Sequence, residues 1–321
     1  MLMESEYEIV RFDRIPHMKL FINELEYRTS HLHKEFEVIY VVKNPLMLKF
    51  PGTEHILNEG QACILNPNQV HMMEKVSKPC SFICIQFAAT LFDEIFHALS
   101  NYRFPLMNIM DAEGIDSHEL RKTILTLALH YQNLDDIENL EITGYLLHLV
   151  YLIVKGIPHT SLSKKEKEEE EKNVQRISRL LAFIDNNYTH KINLSEFAEQ
   201  EGLTLTYLSH FAKKVLSEPF QDYVNSLRFN LAKKLIYHEG LSIAEAAYES
   251  GFSDPRYLTR SFEKYMGISA REYSKTMRTG RSSENESDMK THISAHSLER
   301  YYTRRKCIDL LEPLLEAHDR K

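Results

Sequence analysis

Three histidines and one glutamate near the N-terminal end have the residue types and the spacing to do chemistry. His31, His33 and Glu37 are separated by even numbers of residues, so on one β-strand their side chains would point to the same face. His71 follows a Gly-x5-Asn-Pro segment that begins at Gly60. Such a set is typical of a transition-metal site, but the same groups could line a small-molecule pocket or hydrogen-bond to one another. We predict that the four side chains bind a small-molecule effector and hold no metal.

A second group of polar side chains lies on two short helices near the C-terminal end. In the helix that begins at Pro255, helical spacing directs Leu258 and Phe262 inward and leaves the basic residues outside. Tyr207, Tyr257 and Tyr265 are predicted to pack inward as well. Arginine can bind O6 and N7 of guanine with two hydrogen bonds, whereas lysine more often contacts phosphates. The predicted DNA contacts are Thr206, Ser209, His210, Lys213, Arg256, Thr259, Arg260 and Lys264.

Each of these two helices is predicted to be the second member of a helix-turn-helix unit. In the C-terminal unit, Gly251 suits the left-handed conformation that ends a helix, and Asp254 can cap the helix that follows. The stretch from Asn193 to Lys214 repeats this pattern, with Gly202 placed 49 residues before Gly251. A stiff helix from Gln221 to about Tyr237 would hold both units on one side of a DNA duplex.

The first half of the chain has a different character. Residues 1–90 contain many short runs of β-branched and aromatic residues, separated by turn signals such as Asn44-Pro45. This rhythm predicts a β-domain of jelly-roll type. Residues 91–160 are predicted to be a helical segment, with helices over 91–99, 116–134 and 138–154.

The rest of the chain divides by composition. Ser161 to Lys172 is almost wholly charged and is predicted to be a solvated linker without a core, helical at most transiently. Residues 173–276 are the predicted all-α DNA-binding domain with two helix-turn-helix motifs, and residues 277–321 are an extension. Within this extension, Thr279 to Lys290 is predicted to be disordered and residues 297–317 to form an amphipathic helix. The predicted fold class is therefore α+β and multidomain.

Charge and cysteine content limit the function classes. The net charge is −7, and residues 1–162 hold 13 basic and 21 acidic residues, whereas residues 173–275 hold 13 and 12. DNA affinity would then depend on how basic side chains cluster on one face, because the bulk charge of the second half is near zero. The four cysteines have no C-x-x-C spacing, and no run suits a secretory leader or a bilayer span. We expect a soluble, cytoplasmic protein with reduced thiols.

A long motif resembles a known family. The run AYESGFSDPRYLTRSFEKYMGISAREY, from Ala247 to Tyr273, closely resembles the signature of AraC/XylS-type transcription regulators. That signature usually has Thr-Pro where this chain has Ser269-Ala270, and commonly has Phe in place of Leu258. The two histidine-containing segments of the N-terminal half resemble the two cupin motifs, and so the effector domain that is fused to many of these regulators.

The resemblance implies a one-component transcription regulator in which a cupin-like domain senses a small molecule, most often a sugar. It also implies that residues 91–160 pair two subunits into a homodimer, and that the protein binds double-stranded DNA with RNA polymerase as a further partner. Activation of a metabolic operon is the commonest outcome in the family. We expect no cofactor and no enzymatic activity. The alternative is a metal-dependent cupin enzyme fused to a helical module.

Overall fold

An antiparallel, barrel-like β-sheet forms most of the N-terminal half. The computed structural model describes residues 14–133, 137–216, 218–273, 275 and 289–319. The strands are β1 (Met18–His31), β2 (Phe36–Lys43), β3 (Leu46–Phe50), β4 (Thr53–Leu57), β5 (Ala62–Leu65), β6 (His71–Lys75), β7 (Cys80–Phe87), β8 (Tyr102–Arg103), β9 (Thr160–Ser161), β10 (Met289–Ile293) and β11 (Ser297–Tyr302). The main sheet has the order β4-β3-β6-β1-β7-β2-β5, β11 pairs with both β1 and β10, and β8 pairs with β9.

Alternate residues of the central strands belong to two different hydrophobic cores. In β2, Val38 and Tyr40 pack against helices outside the barrel, whereas Ile39 and Val41 pack inside it. Both faces of β2 are therefore buried, which explains why its sequence is a continuous apolar run without alternation. Glu37 has the parity of the residues that face the inside of the barrel.

Two helices, α1 (Ser117–His130) and α2 (Glu138–Gly156), cover the outer face of the sheet. Asp116 caps α1, because its side chain accepts hydrogen bonds from the backbone N–H groups of His118 and Glu119. Both helices were predicted, and α1 ends a few residues earlier than expected.

The helix predicted over residues 91–99 is wrong. The structure has two separate 3-10 turns, Ala89–Phe92 and His97–Asn101. Phe96 has an extended φ of −153° between them, and its ring packs edge-on against Tyr102 with 5.7 Å between the ring centres. Packing of this aromatic pair interrupts the short helical pattern.

The charged stretch predicted to be a linker is the first part of a long helix, α3 (Lys164–Asn187). Ser163 and Glu166 form a capping box at its start, and Glu170 accepts hydrogen bonds from Arg103 at 2.8 and 2.9 Å. The C-terminal half of α3 buries Leu180, Leu181 and Ile184. Because extending a helix that packing has already nucleated is easy, the apolar half of α3 carries the charged half with it.

The helical domain of the second half is built around two small cores. Its helices are α4 (Leu194–Glu201), α5 (Leu205–Leu216), α6 (Phe220–Lys234), α7 (Ile243–Glu249) and α8 (Pro255–Met266). One core contains Leu208 of α5 and Tyr223 of α6, and the other contains Ala246 of α7 and Phe262 of α8. Since α6 contributes to both cores, it fixes the two helix-turn-helix units relative to each other.

The C-terminal extension folds back onto the barrel. Residues 297–302, predicted to begin a helix, form β11 and pair with β1, where the Asn23 side chain donates a 2.6 Å hydrogen bond to Glu299. The helix that follows, α9 (Arg304–Asp319), packs on α1 and buries Cys307 and Leu311. Disorder was predicted for Thr279 to Lys290; residues 279–288 lie outside the described residues, and the prediction is wrong for Met289 and Lys290, which belong to β10 and pair with β11. The predicted α+β, multidomain fold class is confirmed, and the C-terminal extension adds β10 and β11 to the sheet.

The packing of α9 gives a stability prediction. Leu311 is fully buried in the core between the sheet and its covering helices, so Leu311→Ala should lower the free energy of unfolding of the full chain by about 2–4 kcal/mol. Thermal unfolding followed by circular dichroism measures the change. The neighbouring Glu312 is exposed, and Glu312→Ala is the matched control. Equal melting temperatures for the two variants would contradict the docking of α9.

Candidate nucleic-acid interface and buried histidine cluster

The turn of each helix-turn-helix unit depends on a glycine. Gly202 has a φ of 65° and ends α4, and Gly251 has a φ of 92° after α7. A Cβ atom on Gly251 would lie 2.6–2.7 Å from backbone atoms of Thr189, so this position requires glycine for space as well as for its dihedral angle. Asp254 then caps α8 by accepting a 2.7 Å hydrogen bond from the Arg256 backbone N–H.

The structure places the eight predicted DNA-contacting residues on the outer faces of α5 and α8. Seven are exposed: Thr206, Ser209, His210, Lys213, Arg256, Arg260 and Lys264. Thr259 is half-buried, and its hydroxyl donates a 3.2 Å hydrogen bond to the Pro255 carbonyl. These positions agree with a DNA-facing surface, and the contacts themselves stay a prediction.

Arg256 is folded back onto the residue that caps its own helix. Its guanidinium Nη2 lies 2.7 Å from Asp254 Oδ2, and the hydrogen bond from Arg256 lowers the pKa of the Asp254 carboxyl below its ordinary value. To reach a base edge, this arginine must leave Asp254. Because 84% of its side chain is exposed, the ion pair is well screened by water and easily exchanged.

Three tyrosines predicted to pack inward lie on the surface. Tyr207 is 47%, Tyr257 51% and Tyr265 40% exposed. The buried face of α8 is narrow, with Leu258, Ser261 and Phe262, and Tyr257, next to Leu258, is rotated by about 100° out of that face. Tyr265 lies on the buried face near the end of α8, where it still packs against Phe229 with 5.1 Å between the ring centres. Tyr207 and Tyr257 occupy the third position of α5 and α8 respectively, and this repetition is the signal that could have identified them. Phenol hydroxyls are common donors to phosphate.

The four residues predicted to bind an effector do meet in the structure. His31 ends β1, His33 follows it, Glu37 lies on β2 and His71 begins β6. Their exposed fractions are 4% for His31 and 1% for each of the others. The Nε2 atom of His33 lies 2.7 Å from Glu37 Oε2, and that of His71 lies 3.3 Å from the same oxygen. We call these four residues the histidine cluster.

The backbone fixes the orientation of each imidazole in this cluster. The Nδ1 atom of His31 lies 2.9 Å from the Thr29 carbonyl oxygen. That of His33 lies 3.1 Å from the Glu35 carbonyl, and that of His71 lies 2.9 Å from the Gln69 carbonyl. Because a carbonyl oxygen only accepts hydrogen bonds, each Nδ1 carries a proton and donates it. The Nε2 atoms of His33 and His71 then face the carboxylate of Glu37.

A cysteine that the sequence did not suggest completes the surroundings of Glu37. The Cys84 thiol donates a hydrogen bond to Glu37 Oε1 with a sulfur–oxygen distance of 2.7 Å. Burial opposes ionisation of Glu37, but the neighbouring imidazoles outweigh it and hold the pKa of this carboxyl well below its usual range. Burial, together with His71, lowers the pKa of the His31 imidazole well below its ordinary value. The cluster therefore combines an ionised carboxylate with a neutral imidazole.

The inside of the barrel is filled around this cluster. Thirteen buried hydrophobic residues pack there: Leu25, Ile39, Val41, Leu46, Leu48, Phe50, Leu57, Cys63, Leu65, Met73, Cys80, Phe82 and Cys84. A drug-sized or sugar-sized ligand needs a cavity of roughly 300–1,000 Å³. The prediction that the histidine cluster contacts an organic effector stays untested.

A cavity of about 1000 Å³ lies between the β-sheet and the helical domain. Strands β1, β3 and β6 line one side, and α6 and α8 line the other. Lys233 of α6 reaches into it at 8% exposure, with its Nζ 4.4 Å from the centre of the Tyr27 ring and 5.0 Å from that of Phe229. Burial lowers the pKa of Lys233 to about 8. We call this space the interdomain cavity.

Two lysines that line the interdomain cavity are paired with carboxylates, whereas Lys233 is not. Lys49 lies 2.6 Å from Glu74, and Lys75 lies 2.7 Å from Glu26. Within the described part of the chain, no carboxylate forms an ion pair with Lys233, whose ammonium faces aromatic rings. Sequence patterns do not indicate this environment, because Lys233 looks like one more surface lysine of an amphipathic helix.

An exposed apolar stripe runs along α2. It comprises Leu140 at 75%, Leu147 at 38% and Tyr151 at 53% exposure, with exposed Gly144 between them. These positions are separated by four, three and four residues, so they lie on one face of the helix.

Among the described residues, no helix is both long and apolar enough to cross a membrane.

Comparisons with known proteins match both halves of the chain. Residues 23–150 match a family model described as an AraC-like ligand binding domain, and residues 197–276 match one described as a helix-turn-helix domain. The HTH-type transcriptional activator RhaS of Escherichia coli is 22% identical over 247 residues, which cover 76% of this chain and 86% of RhaS. The HTH-type transcriptional regulator YdeC of Bacillus subtilis is 22% identical over 259 residues, 78% of this chain and 87% of YdeC.

Among solved structures, ToxT from Vibrio cholerae is similar over 83% of this chain and 100% of its own, with 16% identity and a TM-score of 0.39.

Proposed function

The chain belongs to the AraC-type family of transcription regulators, and from this premise we propose that it activates a metabolic operon in response to a small molecule, with a sugar as the first class to test. One observation carries the proposal: two helix-turn-helix units of one chain expose the polar faces of their second helices. RhaS, whose name describes it as a transcriptional activator, supports activation as the outcome, with RNA polymerase as the partner at the promoter.

We propose that α5 and α8 enter the major groove at two successive positions. Helix α6 joins the two units and packs in both of their cores, and its 15 residues correspond to about 22 Å of rigid helix. Arg256 and Arg260 would contact guanine edges, whereas Lys213 and Lys264 would contact phosphates. The other predicted contacts would read bases or position the backbone: Thr206, Ser209, His210 and Thr259.

The interdomain cavity is the proposed effector site. Its lining combines aromatic faces, such as Tyr27, with the carboxylates of Glu26 and Glu218 and the ammonium of Lys233. Sugars suit such a lining, since aromatic rings can cover their apolar faces while charged groups bind their hydroxyls. A ligand there would touch both halves of the chain and would change how they pack, which is what a signal to DNA binding requires.

The exposed stripe of α2 is the proposed dimer interface. Leu140, Leu147 and Tyr151 would pack against the same stripe of a second subunit, because an isologous contact places one patch against its own copy. A Cβ atom at position 144 would have no neighbouring atom within 4 Å, so the surface beside Gly144 is open. Because glycine has no side chain, this position would let the two helices approach closely.

The DNA interface gives the first prediction of this proposal. Arg256→Ala and Arg260→Ala should each weaken binding to a specific duplex by about 1–3 kcal/mol, because a bidentate contact to guanine is lost. Fluorescence anisotropy with a duplex selected from a random library measures the affinity. Arg305→Ala is the matched control, since Arg305 is an exposed arginine on α9. Wild-type affinity and specificity in both variants would remove α8 from the interface.

The effector site gives the second prediction. A screen of sugars, sugar acids and sugar phosphates should find a ligand that raises the melting temperature, because a ligand that binds the native state stabilises it. Lys233→Met should lose most of that ligand-induced rise, while Lys234→Met, on the next residue of α6, should keep it. A rise that is equal in wild type and Lys233→Met would place the effector outside the interdomain cavity.

The apolar stripe gives the third prediction. Leu147→Glu should convert a dimer into a monomer, because it buries a charge in the centre of the proposed contact. Size-exclusion chromatography with light scattering gives the mass of each species. Ile95 is 68% exposed and lies outside α2, so Ile95→Glu is the control for adding a surface charge. A Leu147→Glu variant that remains dimeric would exclude this face.

A further inference from the structure

Three imidazole Nε2 atoms and one carboxylate oxygen converge in the histidine cluster, and in the neutral imidazoles none of these atoms carries a proton to donate. Each Nδ1 donates to a backbone carbonyl, so in a neutral imidazole each Nε2 offers a lone pair. The Nε2 atoms of His31 and His71 are buried and have no hydrogen-bond partner. The carboxylate of Glu37 accepts as well, so lone pairs face one another where a positive charge is needed.

One proton does not resolve this arrangement. A proton shared by His33 Nε2 and Glu37 Oε2, which are 2.7 Å apart, satisfies that pair alone. The Nε2 atom of His71 still faces Glu37 Oε2 at 3.3 Å, in an arrangement without a hydrogen bond. Buried polar atoms nearly always have a hydrogen-bond partner. The Nε2 atoms of His31 and His71 have none, and two such acceptors in one buried place indicate that another group binds there.

We propose that His31, His33, His71 and Glu37 bind one divalent transition-metal ion. The three imidazole ligand atoms already lie within 4.8 Å of one another. A tetrahedral ion at about 2.0–2.1 Å from each ligand atom would bring them to about 3.4 Å, a change that small side-chain rotations supply. The carbonyls behind each Nδ1, and the Cys84 thiol behind Glu37, are the outer contacts that orient metal ligands in proteins.

The donor set selects the kind of ion. Imidazole nitrogens suit Zn²⁺, Fe²⁺, Ni²⁺ and Cu²⁺, whereas Mg²⁺ and Ca²⁺ prefer oxygen donors. Four protein ligands at 1–4% exposure form a closed site, which is typical of structural ions, while catalytic ions keep a position open to substrate. This proposal departs from our prediction of no metal, because the direction of each Nε2 cannot be read from the sequence.

The position of the cluster gives the ion a consequence for the rest of the chain. Leu32 lies between two of the ligands and Val70 precedes the third, and both side chains pack in the same core as Leu181 of α3 and Leu216 of α5. The hydroxyl of Ser30 lies 3.5 Å from the Leu216 carbonyl. An ion that ties β1, β2 and β6 together therefore holds in place the surface on which the helical domain docks.

The direct test measures metal in the full-length chain, prepared without a histidine tag. After incubation with Zn²⁺ and removal of free metal, mass spectrometry of the elements should find about one ion per chain, and chelation should lower the melting temperature. His71→Gln and Glu37→Gln should lose the ion. His130, which lies with Glu138 and Glu141 at a more exposed position, gives the matched control, and His130→Gln should keep it.

Two further readouts separate loss of metal from loss of folding. Co²⁺ bound to wild type should give the visible absorption of a tetrahedral site, and His71→Gln with native circular dichroism should lack it. In wild type alone, chelation should increase hydrogen exchange at Leu32 and at α3, and Zn²⁺ should reverse this. Wild type that retains no Zn²⁺, or an ion that His130→Gln loses and His71→Gln keeps, would overturn the proposal. None of these readouts depends on DNA or on the effector.

Discussion

The contact between the end of β1 and the helical domain is the interaction on which the coupling of the two halves depends. Leu32 and Val70 leave the barrel and pack among the apolar residues of α3, α5 and α6. Full burial of such side chains stabilises by about 1.5–3 kcal/mol each, so the contact holds the halves together without fixing them irreversibly. An interface of this strength can be opened or closed by a ligand.

The interdomain cavity and the histidine cluster both lie near that contact. Tyr27, on the same strand, faces Lys233 in the interdomain cavity, while His31 and His33 face the inside of the barrel. A shift of the backbone at the end of β1 therefore alters the surroundings of both sites at once, because Tyr27 and His31 lie only four residues apart on this strand, with a register shift between Arg28 and His31. The turn between β10 and β11 adds to the same region, where the Asn230 amide donates to the Ala295 carbonyl.

The elements that carry their own local pattern could be predicted from the sequence, and the ones that depend on distant partners could not. Gly251 and Asp254 predicted the turn and cap of α8, because both act within a few residues. Strand β11 was missed because its buried residues are polar: Ser297 and Glu299 face inward, where Glu299 meets Asn23. An apolar periodicity search has no signal for such a strand.

The same distinction between local patterns and distant partners explains which parts of the two candidate sites could be predicted from the sequence. Even spacing predicted that His31, His33 and Glu37 share one face of one strand, and this is wrong, because β1 ends at His31 and Glu37 lies on β2. The three residues meet through the arrangement of two strands, and the role of Cys84 likewise depends on the pairing of β2 with β7. Lys233 acquires its surroundings only when the helical domain docks on β1. The charge run of α3 looked like a tether because no apolar stripe marks it, yet Arg103 of the sheet domain binds it through Glu170.

The continuity of α3 limits how a signal can pass between the halves. Its N-terminal part is bonded to Arg103 and its C-terminal part lies in the first core of the helical domain, so the two halves are joined by a rod of 24 residues and not by a coil. A helix of about 36 Å transmits rotation but does not let one end swing freely. Repacking at Leu32 and Val70 would then reorient α5, because this contact and α3 both help to hold α5 in place. In the proposed function, groups bound near the end of β1 would act on that packing directly, and the end of this strand would be the place where sensing and DNA recognition meet.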